Sequence, residues 1–234
     1  MRIKIKFSKN TGDVPVHNQA ILNSYIHKCL GVNNVYHDAK SDYNISHLYG
    51  GKLNVETNML SFEDGGYIVI SSKDSEFINK ILIGVINNPI LTGGMSFAGV
   101  DHMSEQFVNG WNYFATLSPF IIKKYVEKSV YSFVTLKDED FEGQVKTYLL
   151  NKISKIDAKL DLSDFDVKIP VNDKHKVKRI LVKNVINSGN LCHISIHTNK
   201  KVAELLYNIG IGQSTGSGFG TIYKTENHNL YKLG

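Results

Sequence analysis

Cysteine, proline and long apolar runs are all scarce in this chain of 234 residues. Its two cysteines, Cys29 and Cys192, lie far apart and outside any Cys-x-x-Cys spacing. That excludes a disulfide framework and a zinc ribbon, and it fits buried thiols in a reducing cytoplasm. No apolar run is long enough to cross a bilayer, and Met1-Arg2-Ile3-Lys4-Ile5-Lys6-Phe7 contains no signal-peptide core. A cytoplasmic protein without a membrane partner is expected. The nine histidines include no His-x-x-x-His and no Cys/His cluster at metal-ligand spacing, so neither a metal nor another cofactor is expected. Gly-x-Ser-x-Gly and Gly-Lys-Ser/Thr are absent as well, which removes the serine-hydrolase elbow and the Walker loop.

A modest basic excess is present: 27 Lys+Arg against 22 Asp+Glu, or +5. Such a balance suits a polyanionic partner without establishing one. The length fits two domains of about 110 residues, and 42% hydrophobic residues suffice for ordinary cores.

The densest local signal lies near the C-terminus, in Gly210-Ile211-Gly212-Gln213-Ser214-Thr215-Gly216-Ser217-Gly218-Phe219-Gly220. Glycines reach φ > 0 without a Cβ clash, so such a run can aim several N–H groups into one anion-binding concavity. Val202, Leu205, Leu206 and Ile209 recur at helical spacing before it, and Phe219-Gly220-Thr221-Ile222-Tyr223 has strand character after it. The order helix, glycine loop, strand is the reverse of a nucleotide-binding fingerprint, which disfavours that class. A plain turn after a helix C-cap at Gly210 is the alternative.

The rest of the chain supplies elements in a repeating order. Residues 1–7 alternate basic and apolar, as a half-buried strand does. A helix is predicted over residues 17–30, with Ile21/Leu22, Tyr25/Ile26 and Cys29/Leu30 as its apolar face. Weak strands at 43–48 and 52–55 precede stronger ones at 59–62 and 67–71, which Glu63-Asp64-Gly65-Gly66 would join as a hairpin. A helix over 74–87 ends before Pro89, and a strand follows at 95–107. Asn109-Gly110 is the candidate boundary. Beyond it come a strand at 113–117, a helix near 139–157, strands at 177–185 and 191–197, a helix at 199–209 and a last strand near 219–224. The fold class expected is α+β, with two tandem ferredoxin-like (RRM-like, βαββαβ) domains over residues 1–110 and 111–234.

Gly-h-Gly, five residues, then Gly-Phe-Gly, placed after a helix and close to the C-terminus, resembles the glycine-rich loop of the RAMP proteins of CRISPR systems. Within them it most resembles the endoribonuclease family that cuts CRISPR repeat transcripts into guide RNAs. Leu117-Ser118-Pro119 is similar to that family's Ser-Pro element opening the second half. The resemblance implies paired ferredoxin-like folds, CRISPR repeat RNA (pre-crRNA) as partner and a catalytic histidine just past the first helix. It also leaves room for other CRISPR effector subunits as partners, and for a monomer or homodimer.

Metal-free RNA cleavage needs a proton carrier and a cation, because the substrate brings its own 2′-OH nucleophile. His37, in the polar loop Val35-Tyr36-His37-Asp38-Ala39-Lys40, is the first candidate both as an exposed loop imidazole and by the resemblance. His27, on the polar flank of the first helix, is the second. The family often carries tyrosine at that place, so histidine there is a departure. Lys40 is the candidate cation, with Lys28 and Lys52 as substitutes. His47, exposed on strand alternation, ranks third, and His17 reads as a helix-start residue. The expected products are a 2′,3′-cyclic phosphate and a 5′-OH. For RNA binding the candidates are Gly210, Gly212, Gly216, Gly218 and Gly220 of the loop, Phe219 as a stacking ring, and Lys176, Lys178 and Arg179 of the basic run entering a strand. Lys123-Lys124 is a second basic patch. The alternative is a non-catalytic RAMP subunit that holds guide RNA. A tandem RRM protein is weaker, since no aromatic RNP-type strand is present.

Overall fold

The computed structural model describes residues 1–31, 34–36, 42–125, 127, 130–170 and 173–226. Its first half runs β1 (Arg2–Phe7), β2 (Val14–Pro15), α1 (Gln19–Leu30), β3 (Tyr43–Ile45), β4 (Lys52–Asn54), β5 (Met59–Ser61), β6 (Gly66–Ser72), α2 (Ser75–Asn87) and β7 (Phe97–Met103). The second half runs β8 (Gly110–Thr116), β9 (Lys123–Tyr125), β10 (Tyr131–Phe133), α3 (Phe141–Ile156), β11 (Asp166–Lys168), β12 (Lys176–Val182), β13 (Val185–Leu191), β14 (His193–Thr198), α4 (Lys200–Ile209) and β15 (Ile222–Lys224).

Two antiparallel four-stranded sheets carry this order, β3-β6-β1-β7 and β11-β14-β8-β15. Counting only sheet strands, both read second, third, first, fourth, with one helix after the first strand and one after the third. That is the ferredoxin-like topology, present twice. The first core packs Ile3, Ile5 and Phe7 of β1 against Leu22 and Ile26 of α1 and Phe77, Ile78, Ile81 and Val85 of α2. The second packs Phe114, Ile194 and Ile196 against Val145, Leu149 and Ile153 of α3 and Val202 and Leu206 of α4. The helical spacing of those apolar residues is what fixes which face of each helix is buried. Capping fixes where two of them start: Asp74 accepts from the Glu76 N–H at 2.8 Å, and Asn199 accepts from the Val202 N–H at 3.1 Å.

Three expectations change. Residues 59–62 and 67–71 do not form a hairpin. β5 pairs with β2 and β4 in a separate small sheet, while β6 pairs with β1 and β3. The Phe62 N–H goes to Asn10 Oδ1 at 2.7 Å and its ring is fully buried, so the chain turns inward before β6 begins. The strand predicted at 177–185 lies outside the second sheet, because β12 pairs with β13 as a separate hairpin and the short β11 takes the sheet position. On α1, Ile21 is 38% exposed and Gln19 is buried instead.

The two helices of the first half touch at one glycine. A Cβ on Gly84 would overlap the Cys29 carbonyl of α1. Gly84→Ala is expected to destabilise the protein by about 1–3 kcal/mol, although alanine is worth about 1 kcal/mol more than glycine in a helix. An unchanged or raised denaturation midpoint would show that α1 and α2 can separate at no cost.

Candidate active site at the domain seam

The glycine stretch sits between the halves as a clasp. Gly210, Ile211, Gly212, Thr215, Gly216, Gly218, Phe219 and Gly220 are buried, and the exposed residue at its tip is Ser214. Several of its own N–H groups are used inside the protein: Ile211 bonds Gly220 O at 2.9 Å, Gln213 bonds Ile121 O at 2.8 Å, and Gly220 bonds Pro119 O at 2.9 Å. The concavity of free donors inferred from glycine spacing is therefore narrower than expected. Gly220 has φ +74°, and a Cβ there would land on the Ile211 carbonyl oxygen. Only glycine closes this loop.

What the loop clasps is informative. Thr215 Oγ1 donates to Tyr43 O at 2.8 Å, and Asn44 Nδ2 donates to Phe219 O at 2.9 Å. Thr221 Oγ1 donates to Asn44 Oδ1, and Gly218 lies flat on the Gln19 side chain. The loop thus packs on the N-terminal end of α1 and on β3, the two elements that flank the segment carrying His37. Gln19 Nε2 donates to Asn23 Oδ1 at 3.1 Å, and His27 follows four residues later on the same helical face. His27 is half-buried in the last turn of α1, about 12 Å along the axis from Gln19. His37 and Lys40 lie outside the described residues.

Beside the loop opens a cleft of about 750 Å³ whose lining includes Asp42, Lys73, Tyr148, Lys152, Lys155 and Ser214. Lys73 pairs with Asp42 at 2.7 Å. Lys152 of α3 donates to Gly210 O at 2.8 Å and to Gly212 O at 3.0 Å. Burial pushes its ammonium down to about 7, with the nearby Asp42 acting in the opposite direction. Sequence reasoning missed Lys152, because nothing in the α3 pattern sets it apart from Lys146 and Lys155 as the lysine that meets the loop.

Other candidates are placed differently from expectation. Phe219 is 1% exposed and packs with Ile121 and Ile180, so its ring closes the seam and has no free face for a base. His47 is not exposed: its Nε2 is buried, its ring meets the edge of Phe219 at 6.2 Å, and burial, helped by Lys178, pushes it down to about 4. It is neutral at pH 7. Lys176, Lys178 and Arg179 are all exposed, but strand alternation puts the two lysines on the face of Ile180 and Arg179 on the other. At the base of the same hairpin, His175 Nε2 accepts the His193 N–H at 3.0 Å, and burial, then His193, holds His175 near 4. Among the described residues no three His, Cys, Asp or Glu side chains come together to hold a metal ion, and no helix is long and apolar enough to cross a membrane.

The halves are tied by more than the loop. Arg2, 1% exposed, donates to Tyr207 O at 3.0 Å and Ile222 O at 2.6 Å and stacks 4.0 Å over the Tyr207 ring. Burial pulls it down to about 10, so it stays charged at neutral pH. The Tyr49 hydroxyl donates to Leu117 O.

The fold is shared with known proteins. The family described as CRISPR associated protein Cas6, C-terminal, matches residues 103–223, just over half of the chain. A Pyrococcus furiosus protein, provisionally named a CRISPR-associated endoribonuclease-like protein Cas6, is 26% identical over 161 residues. That match spans 66% of this chain and 66% of the relative, just under two thirds of its length. The solved structure of a Cas6-related gene product from Pyrococcus furiosus aligns with a TM-score of 0.82 at 22% identity, covering 97% of this chain and 99% of that one. A RAMP protein that binds different RNA substrates aligns equally well, at 20% identity and 97% and 100% coverage. A Cas6 product complex aligns with a TM-score of 0.68 at 12% identity, covering 96% and 99%. The structural likenesses establish the tandem ferredoxin-like fold, and the sequence match runs through α3, the β12–β13 hairpin, α4 and the glycine loop: this chain belongs to the CRISPR-associated Cas6 family.

Proposed function

We propose that the protein is an endoribonuclease that binds CRISPR repeat RNA and cleaves pre-crRNA without a metal ion. The observation that carries this reading is the packing of the glycine loop on α1, the helix that carries His27, and on β3. A loop held on that helix can fix the RNA backbone while a proton carrier from the first half works on one nucleotide. The family of the chain and the endoribonuclease-like name of its Pyrococcus relative support the substrate and the reaction.

In the reaction the 2′-OH gives its proton to a base, and O2′ forms a bond to the adjacent phosphorus. The bond from phosphorus to O5′ breaks, and O5′ takes a proton from an acid. The products are a 2′,3′-cyclic phosphate and a 5′-OH, and no water is consumed. His37 and His27 are the proton carriers, and Lys40 offsets charge on the phosphorane. The exposed tip of the glycine loop at Ser214, with Lys176 and Lys178 on one face of β12, contacts phosphates.

The test is cleavage of a CRISPR repeat RNA with EDTA present, beside the same RNA carrying 2′-deoxy at the cut site. The ribose substrate is expected to be cut in EDTA to a cyclic phosphate end, and the deoxy substrate to remain whole. Tight binding with no cutting of either would replace the enzyme with a RAMP subunit that holds guide RNA. Cutting that stops in EDTA would remove the metal-free mechanism.

A further inference from the structure

The outward face of α3 continues the seam cleft into a longer groove. A second depression of about 510 Å³ is lined by Lys123, Lys124, Gln144 and Thr147, and Tyr148 and Asn151 line both depressions. Gln144, Tyr148, Asn151 and Lys155 recur at intervals of four, three and four, so one face of α3 floors the whole groove over about 16 Å. The join between its ends is fixed, because Gln213 Oε1 accepts the Lys123 N–H at 3.1 Å and the Gln213 N–H bonds Ile121 O at 2.8 Å.

Its chemistry is one-sided. Five lysines line the two depressions against two aspartates, and one of those, Asp42, is already paired with Lys73. At the deep end, two of the three Lys152 protons go to Gly210 O and Gly212 O among the described residues. Tetrahedral geometry turns the third away from them, at a residue that lines the cleft. At the far end Lys123 lies 4.2 Å over the Tyr131 ring, and Tyr125 beside it is 61% exposed. An open groove of cations ending at an exposed ring fits a single polynucleotide strand, since phosphates and base faces are what it offers to meet. A small-molecule site would be enclosed and largely apolar.

We propose that this groove is a track for single-stranded RNA, with one backbone phosphate seated at Lys152, Lys155 and Ser214 and a base stacked at Tyr125. The proposal rests on the RNA-binding part of the function above and names where a strand leaves the cleft. The seat also couples binding to protons. Lys152 meets the Gly210 and Gly212 carbonyls and the charge of Asp42, and it shares the cleft with Lys73 from the first half and with Tyr148 and Lys155 on α3. Burial holds its ammonium near 7, so above that pH a phosphate must recharge it. RNA then binds with proton uptake and more tightly at pH 6.5 than at pH 8.5.

The test uses the full chain with two probes, an uncleavable 2′-deoxy-blocked repeat RNA and an oligouridylate of equal length. The Kd of each is measured against salt and pH. Lys124→Ala/Lys155→Ala, both at exposed positions, is expected to weaken both probes and to lower the salt slope by roughly 0.7 for each phosphate no longer neutralised. Lys152→Met is expected to flatten the pH dependence between 6.5 and 8.5. Because Lys152 also fastens the loop, the exposed pair decides the outcome. Wild-type Kd and slope in the double variant overturn the track and leave the RNA-processing function standing. Failure of the wild type to bind either probe overturns both.

Discussion

His37→Ala is expected to slow cleavage of a CRISPR repeat RNA by about 10²–10⁴-fold while leaving its Kd within about threefold. A proton carrier acts on the transition state, so its loss shows in the rate and not in the hold on the ground state. His27→Ala should give a smaller loss and remove one limb of a bell-shaped pH–rate profile, because the two imidazoles are asked for opposite protonation states. The two are offered in preference to His47, which burial keeps neutral and whose ring faces Phe219. Measured under single turnover in EDTA, a parallel drop in rate and affinity for His37→Ala would make it a phosphate contact. A full wild-type rate would remove it from the chemistry.

The largest stability effect is expected at Gly220. Alanine there adds a left-handed backbone penalty at φ +74° of about 1–2 kcal/mol. It also places a methyl on the Ile211 carbonyl, which can be relieved only by opening the clasp. A total near 3 kcal/mol corresponds to a fall of roughly 6–12 °C in melting temperature for a chain of this size. Gly12→Ala is the control: φ there is ordinary and the nearest atoms lie at 3.7 Å, so no loss is expected. If Gly220→Ala melts with the wild type, the loop is not the closed clasp described. If it melts early and also loses RNA binding, the clasp serves both stability and function.

Much of this architecture could be read from side-chain spacing. The stripes on α2, α3 and α4 are strong because each packs one face on a sheet, and period 3.6 then dominates the local sequence. The β1 alternation is equally plain, since Ile3, Ile5 and Phe7 enter the core. Spacing fails where partners are distant in sequence. Asp166-Val167-Lys168 has one apolar residue and is a strand only because β14 lies beside it. Glu63-Asp64-Gly65-Gly66 has hairpin chemistry, yet Asn10 and β2 take the residues before it. At the site, the glycine run and its helix were legible, but their use was not. Burial of Gln19 and Phe219 follows from the second half covering the first, and no local window contains both. Lys152 is the plainest case, since its importance comes entirely from two carbonyls about 60 residues away.

The two hydrogen bonds of Arg2 have a consequence for synthesis. Its acceptors stand 205 and 220 positions further along the chain. While the ribosome is still making the second half, the first sheet can assemble, but this guanidinium has no carbonyls to meet and must stay in water. This contact between the halves is therefore closed by residues made more than 200 positions after Arg2. A chain released before Tyr207 would leave this guanidinium without either carbonyl and would lack the clasp, so the junction between the halves forms only after most of the second half has been made.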